Sequence, residues 1–340
     1  MPLRHLVTTV FASVLLFDVV IATAETRVVM LGTGTPIPTP ERSGPATAIV
    51  VDGKAYLVDF GPGVVRRAAA ASTEYGGSVP SLKVDQLGIA FLTHLHHDHS
   101  AGLPDLVFTS WTHGREMPFE LYGPEGTAAM AANVSAAYAE DNRYRLYGLE
   151  PAAPEGWKIN AHDIGEGVVY RDDRVTVEAF KVKHGTWPNA FGYRFTTPDK
   201  IIVISGDAAY DPNIEAMATG ADILIHEVLS EAAVESRDAF WQNYHRNNHT
   251  TSYELAALAS RAKPRLLILY HVLVFGLPDR VVLEEVRSRY DGDVVLANDL
   301  DIFEYSVADG LPLAAMFIHK LSRYAQSVLV LSAKLGAIGQ

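Results

Sequence analysis

Residues 93–99 read Thr93-His94-Leu95-His96-His97-Asp98-His99, and five of these seven side chains are of types that bind cations. They follow an apolar run, Leu87-Gly88-Ile89-Ala90-Phe91-Leu92, that reads as a buried strand. Histidines two apart on extended chain face the same side. The turn that follows brings Asp98 and His99 round toward them, so one short loop can serve two cations. Four imidazoles crowded this closely oppose one another's protonation unless a metal or an anion sits among them. The loop therefore reads as the ligand-bearing turn of a metal site at the end of a strand.

The same arrangement recurs along the chain. From Arg27 onward, short β-rich runs end in Gly, His or Asp: RVVMLGTG, ATAIVVDGKAYLVDFG, LGIAFLTH, VTVEAFKVKH, KIIVISGD, ADILIHE and RLLILYH. Helical patterns over residues 126–144, 212–218, 252–262 and 279–290 alternate with them, which predicts an α/β fold with sheets covered by helices. We read one domain over residues 25–305. The stretch between His99 and His184, rich in Ala, Tyr and Pro, offers no ligand and is expected to wall or lid the site.

Composition narrows the classes further. The 340 residues are 48% hydrophobic and 20% charged, which suits a packed globular chain. The formal net charge of −12 disfavours nucleic acid as a partner without excluding it. Residues 1–24 have the form of a signal peptide: Arg4, an apolar run from Leu6 to Ile21, then Ala22-Thr23-Ala24 as a cleavage site. Retention as an anchor is the competing reading, and Asp18 interrupts the run. The expected location is the periplasm or outside the cell, with no stable membrane insertion once the leader is removed. With no cysteine, disulfides and thiolate ligands are excluded. Residues 306–340 form an apolar tail of unassigned role, and a homodimer is compatible with the sequence.

His94-Leu95-His96-His97-Asp98-His99 resembles the HxHxDH signature of the metallo-β-lactamase superfamily, and His184, Asp207 and His271 match that family's later ligands in order and context. The resemblance covers about residues 27–305 and implies a single-domain αββα four-layer sandwich. It implies His94, His96 and His184 on one metal, Asp98, His99 and His271 on the other, and Asp207 bridging both. His97 falls at the variable position and is expected at the surface or behind the ligands. Nitrogen and oxygen donors without sulfur suit two Zn2+, with Mn2+ or Fe also compatible.

Further matches narrow the resemblance to the ribonuclease Z and arylsulfatase-like group: Leu31-Gly32-Thr33-Gly34-Thr35-Pro36 with Arg42, Gly102-Leu103-Pro104, Tyr122-Gly123-Pro124 and Phe191-Gly192-Tyr193. His226-Glu227 and His249-Thr250-Thr251 resemble the group's HEAT and HST motifs, each departing slightly. Independently of that likeness, Thr251-Ser252-Tyr253-Glu254 is a capping box, which sets His249 beside a helix N-terminus where N–H groups would welcome an anion. His249 is then the expected general acid, Glu227 the group that orients it, and Asp98 both ligand and guide of the nucleophile. His113, His162 and His245 have no partner at a telling spacing and read as surface or packed residues. Gly32-x-Gly34 lacks the rest of a dinucleotide fingerprint.

The activity so implied is hydrolysis of a phosphodiester or sulfate ester in a small anionic substrate by a hydroxide shared between the ions. tRNA 3′-end processing is the first alternative. It is opposed by the export signal, the acidic charge and the lack of a Gly- and Lys-rich arm. Lactone or β-lactam hydrolysis would use the same metals and leave His249 dispensable. A non-hydrolytic reading, as a metal-binding module or di-iron redox protein, is disfavoured because those redox relatives carry Glu where this chain has His96.

Overall fold

The computed structural model describes residues 25–149 and 152–304. The expected leader, 1–24, and the tail, 306–340, lie outside the described residues.

Fourteen strands among the described residues form two seven-stranded sheets. The first sheet contains β1 (Thr26–Gly32), β2 (Ala46–Val51), β3 (Lys54–Val58), β4 (Ile89–Phe91), β5 (Phe119–Gly123) and β6 (Ile159–Asp163). The second contains β7 (Gly167–Arg171), β8 (Thr176–Lys181), β9 (Phe191–Thr196), β10 (Ile201–Ile204), β11 (Ile223–Leu229), β12 (Leu266–Leu273) and β13 (Val294–Leu296), and β14 (Ile302–Glu304) returns to the first. The orders are β14-β1-β2-β3-β4-β5-β6 and β13-β12-β11-β10-β9-β8-β7. In each sheet an antiparallel ribbon leads into a parallel run, β3 to β6 and β10 to β13.

Three apolar layers account for the assembly. Val28, Met30, Ile49, Tyr56 and Phe91 meet Val177, Tyr193, Phe195, Ile202 and Ile268 between the sheets. Val64, Leu103, Leu106 and Trp111 pack on the outside of the first sheet. Ile214, Leu255, Leu258, Val282 and Val286 do so on the second. Strands buried on both faces need continuous apolar runs, which is how β4 and β10 read. The result is the expected αββα sandwich.

Two helical expectations are corrected. The pattern over 126–144 is two helices, Thr127–Ala137 and Ala139–Tyr147, interrupted at Tyr138. The expected helix 279–290 is Arg280–Arg287. Pro212–Ala218 and Ser252–Ala262 fall at their expected bounds, the latter opened by Thr251 and Glu254 in a reciprocal capping box.

Candidate metal centre

Carboxyl ends of parallel strands converge on one edge of the sandwich, where side chains from distant segments can meet. His94 leaves the end of β4, His184 follows β8 and Asp207 follows β10. His271 was expected to end its strand, but β12 continues to Leu273. The register instead skips His271, because Glu227 pairs with Tyr270 and Val228 with Val272. This bulge, with φ 45° at His271, carries the residue out of the ladder. Asp59, just past β3, also has a positive φ, 58°. Gly206 has φ 62°, and a Cβ there would come within 2.9 Å of the Thr93 side chain, so the turn delivering Asp207 requires glycine.

The seven expected ligands lie together in two adjoining groups, His94, His96, His184 and Asp207 in one and Asp98, His99 and His271 in the other. Within each group the candidate ligand atoms lie within 4.8 Å of one another. Asp207 reaches across both, with Oδ1 3.3 Å from His99 Nε2 and Oδ2 3.6 Å from His271 Nε2. All seven are buried except His96, which is half-buried, while His97 is exposed and outside both groups.

Neighbouring acceptors fix which ring nitrogen of each imidazole is free. Asp59 accepts from Thr93 N at 2.8 Å, from Thr93 Oγ1 at 2.9 Å and from His99 Nδ1 at 2.7 Å. Because the Thr93 hydroxyl donates to Asp59, its oxygen accepts from His94 Nδ1, 3.0 Å away. His184 Nδ1 donates to the carbonyl of Asn248 at 2.8 Å. Nε2 of His94, His99 and His184 is thereby left as a bare lone pair facing the cluster. His96 is turned the other way. The Trp187 indole donates to its Nε2 at 2.9 Å, and its Nδ1 lies 2.8 Å from His94 Nε2 and 3.2 Å from His184 Nε2.

Burial, then the neighbouring His99, pushes His94 well below the usual imidazole range, and burial lowers His96 to about 4. His184 is lowered for the same first reason. Burial acts against protonation of His99 too, but Asp207 and Asp59 raise it. The Nε2 lone pairs of His94, His99 and His184, set among carboxylates, are a donor set that fits divalent cations. His99 Nε2 and Asp207 Oδ1 are moreover buried without a hydrogen bond, as atoms reserved for a metal would be.

His249 sits beside this cluster, its ring 5.6 Å from that of His184 and 6.1 Å from that of His271. Its Nδ1 is 3.4 Å from Glu227 Oε1, which accepts from Thr250 N at 2.9 Å. Burial lowers His249 to about 4 and, with Asp207 beside it, raises Glu227 well above the carboxylate range. The expected anion-binding helix end is corrected. Thr250 N is taken by Glu227, Thr251 N by Glu254 and Glu254 N by Thr251, and residues 250–252 are buried.

His245 is a packed residue, as expected, and its packing is at the site's edge. Its ring lies 6.0 Å from that of His249 and 4.5 Å from that of Phe275, both tilted, so it borders the site. His113 and His162 are exposed, the first bonded to the Thr109 carbonyl one turn back and the second to Glu120 on the neighbouring strand. Sequence reasoning missed Asp59 and Trp187. A carboxylate closing the apolar run Tyr56-Leu57-Val58 was the available signal for Asp59.

Residues 54–272 match the family described as beta-lactamase superfamily domain. Ribonuclease Z of Mycobacterium sp. (strain KMS) is 34% identical over 250 residues, covering 73% of this chain and 84% of the relative. That of Mycobacterium marinum is 30% identical over 81% of this chain and 96% of its own length. Among solved structures, the short form of human tRNase Z aligns with a TM-score of 0.62 at 21% identity, covering 83% of this chain and all of that one. The metallo-beta-lactamase fold protein YhfI from Bacillus subtilis aligns with a TM-score of 0.63 at 19% identity, over the same shares.

Proposed function

Since the chain belongs to the metallo-β-lactamase superfamily, in its ribonuclease Z group, and is a ribonuclease-Z-like metallo-hydrolase, we propose that it cleaves phosphodiester bonds with two zinc ions as its divalent metals. The observation that carries this reading is the juxtaposition of two ligand groups with a buried His249–Glu227 pair at their margin. His94, His96 and His184 would hold one ion, Asp98, His99 and His271 the other, with Asp207 shared. Such ions supply Lewis-acid stabilisation of the charge that builds on the phosphoryl group and lower the pKa of water.

The chain's own residues do the rest. His249 is the proton donor to the leaving oxygen. Burial lowers the affinity of His249 for a proton and raises that of Glu227, whose Oε1 lies 3.4 Å from His249 Nδ1 and orients the ring from behind. An anionic phosphodiester beside His249 favours the protonated ring, the form the leaving group needs. Asp59 holds the His99 ring in register.

The acidic net charge argued against nucleic acid. Similarity at 34% identity to ribonucleases weighs more, and that expectation is revised: RNA belongs among the substrates to test. tRNA precursor cleavage is accordingly the second reading. The test is a panel on purified zinc-loaded protein: bis-p-nitrophenyl phosphate, an alkyl diester, p-nitrophenyl sulfate, a lactone, nitrocefin and a tRNA precursor. We expect diester cleavage, and His249→Ala to lose about 10²- to 10⁴-fold in kcat on the alkyl diester and much less on the nitrophenyl one. Both metals should stay bound. Sulfate or lactone turnover exceeding diester turnover would overturn the reading.

A further inference from the structure

The helix Ala239–Asn248 carries three large aromatic side chains on its outside, Phe240 70% exposed, Trp241 40% and Tyr244 43%. Solvated aromatic surface of this size carries a free-energy cost unless something covers it. The group is internally ordered, with Phe240 and Trp241 rings 5.3 Å apart at 81°, and Trp241 and Tyr244 5.6 Å apart at 84°. It is also continuous with the metal centre. Trp241, His245 and His249 follow at spacings of four and their rings adjoin in sequence, stacked at 5.7 Å from Trp241 to His245 and tilted at 6.0 Å from His245 to His249. His249 in turn lies 6.1 Å from the ring of His271. Arg237, at the same rim, lies over Phe275, which itself packs on His245.

We propose that Phe240, Trp241 and Tyr244 form a stacking subsite for an unpaired nucleobase of the substrate strand, within a nucleotide or two of the scissile phosphodiester. The proposal rests on the phosphodiesterase reading above. Continuity with His249 makes the occupant part of the substrate, and aromatic faces select a flat ring over an aliphatic chain. Charge points the same way. A chain of net charge −12 gains little from phosphate contacts away from the metals, so its grip on a polyanion has to be largely non-ionic. Base stacking supplies such a grip and tolerates any sequence. The site therefore favours short, single-stranded, base-bearing diesters over duplexes.

The test compares a single-stranded hexa-adenylate with its abasic counterpart, which carries the same phosphates. Binding to the zinc-loaded protein is read twice, as competitive inhibition of methyl p-nitrophenyl phosphate hydrolysis and as quenching of tryptophan fluorescence. The parent should bind the base-bearing strand about 5- to 100-fold more tightly than the abasic one. Trp241→Ala should erase most of that ratio, and Trp241→Phe should keep most of it by inhibition while losing the quenching. Equal binding of the two strands by the parent, or a ratio unchanged in Trp241→Ala, overturns the subsite. A fall in sedimentation coefficient in Trp241→Ala with the ratio unchanged would give this face to a second copy of the chain instead. If the parent fails to hydrolyse the diester, the phosphodiesterase reading falls, and the fluorescence ratio still decides whether bases stack here.

Discussion

Strand β3 begins at Lys54 and is followed by Asp59, and its two ends carry buried or half-buried polar groups in opposite states of satisfaction. At the far end Asp172, in the β7–β8 turn, accepts from Lys54 Nζ at 2.8 Å, Tyr56 OH at 2.6 Å and Tyr170 OH at 3.0 Å. It also accepts from the N–H groups of Arg174 and Val175, each at 2.9 Å. That carboxylate ties the first sheet to the second and leaves nothing over. At the near end, His99 Nε2, Asp207 Oδ1, Glu227 Oε2, His249 Nδ1 and His271 Nδ1 are buried without a hydrogen bond. A folded chain keeps few such atoms, because each costs about 1–3 kcal/mol. One end of the strand is finished as structure, and the other is left open for cations and substrate.

The sharpest way to break this contrast is Asp207→Ala. It removes the carboxylate that reaches both ligand groups, and two cations held close together without it repel. Metal content should fall well below two per chain, and kcat/KM by about 10³-fold or more, the loss of several kcal/mol of charge stabilisation. His97→Ala, one position from Asp98 but exposed, should keep both metals and most activity. Metal analysis beside kinetics decides it, and equal losses in the two variants would dissolve the assignment.

A smaller effect is expected where the near end is finished. Asp59 makes no contact with substrate, but it accepts three hydrogen bonds that fix Thr93, and through Thr93 His94, and directly His99. Asp59→Asn keeps the shape and loses the charge. Metal affinity should drop by about 10- to 100-fold, the usual effect of a group behind a ligand, with a folded-state melting curve close to the parent's once metal is saturating. Competition with a chelating dye measures it. An unchanged affinity would mean that ring orientation is set elsewhere.

Asp59 also marks what was legible in the chain and what was not. The loop 94–99 could be read because its ligands are local, and spacing on extended chain and turn fixes their direction. His184 and Asp207 could be read because a strand end locates them. Asp59 also sits at a strand end, but its role was hidden, since its partners stand 34 and 40 positions away and only the pairing of β3 with β4 brings them together. Trp187 was hidden for the same reason, since it meets His96 only through tertiary contact. The bulge at His271 and the occupied helix end at Thr250–Glu254 are hydrogen-bond outcomes. Residue patterns leave such outcomes open.

The far end yields the smallest effect and one confined to stability. Burial alone would raise the Asp172 carboxyl, but donation from Lys54, Tyr56 and the backbone N–H groups holds it well below the usual carboxylate range. A depressed folded-state value means stabilisation that is present above the unfolded value, near about 4, and is lost as pH falls below it toward the folded value. Asp172→Asn should therefore destabilise the protein at neutral pH by about 1 kcal/mol, the low end for charged hydrogen bonds because the group is partly solvated. It should leave kcat and metal content untouched. Urea melts of parent and variant at pH 7, 4 and 3 should converge as the pH falls. A gap that stays constant across that range would show that shape rather than charge joins the sheets there. A loss of activity would show that the two ends of β3 are coupled after all.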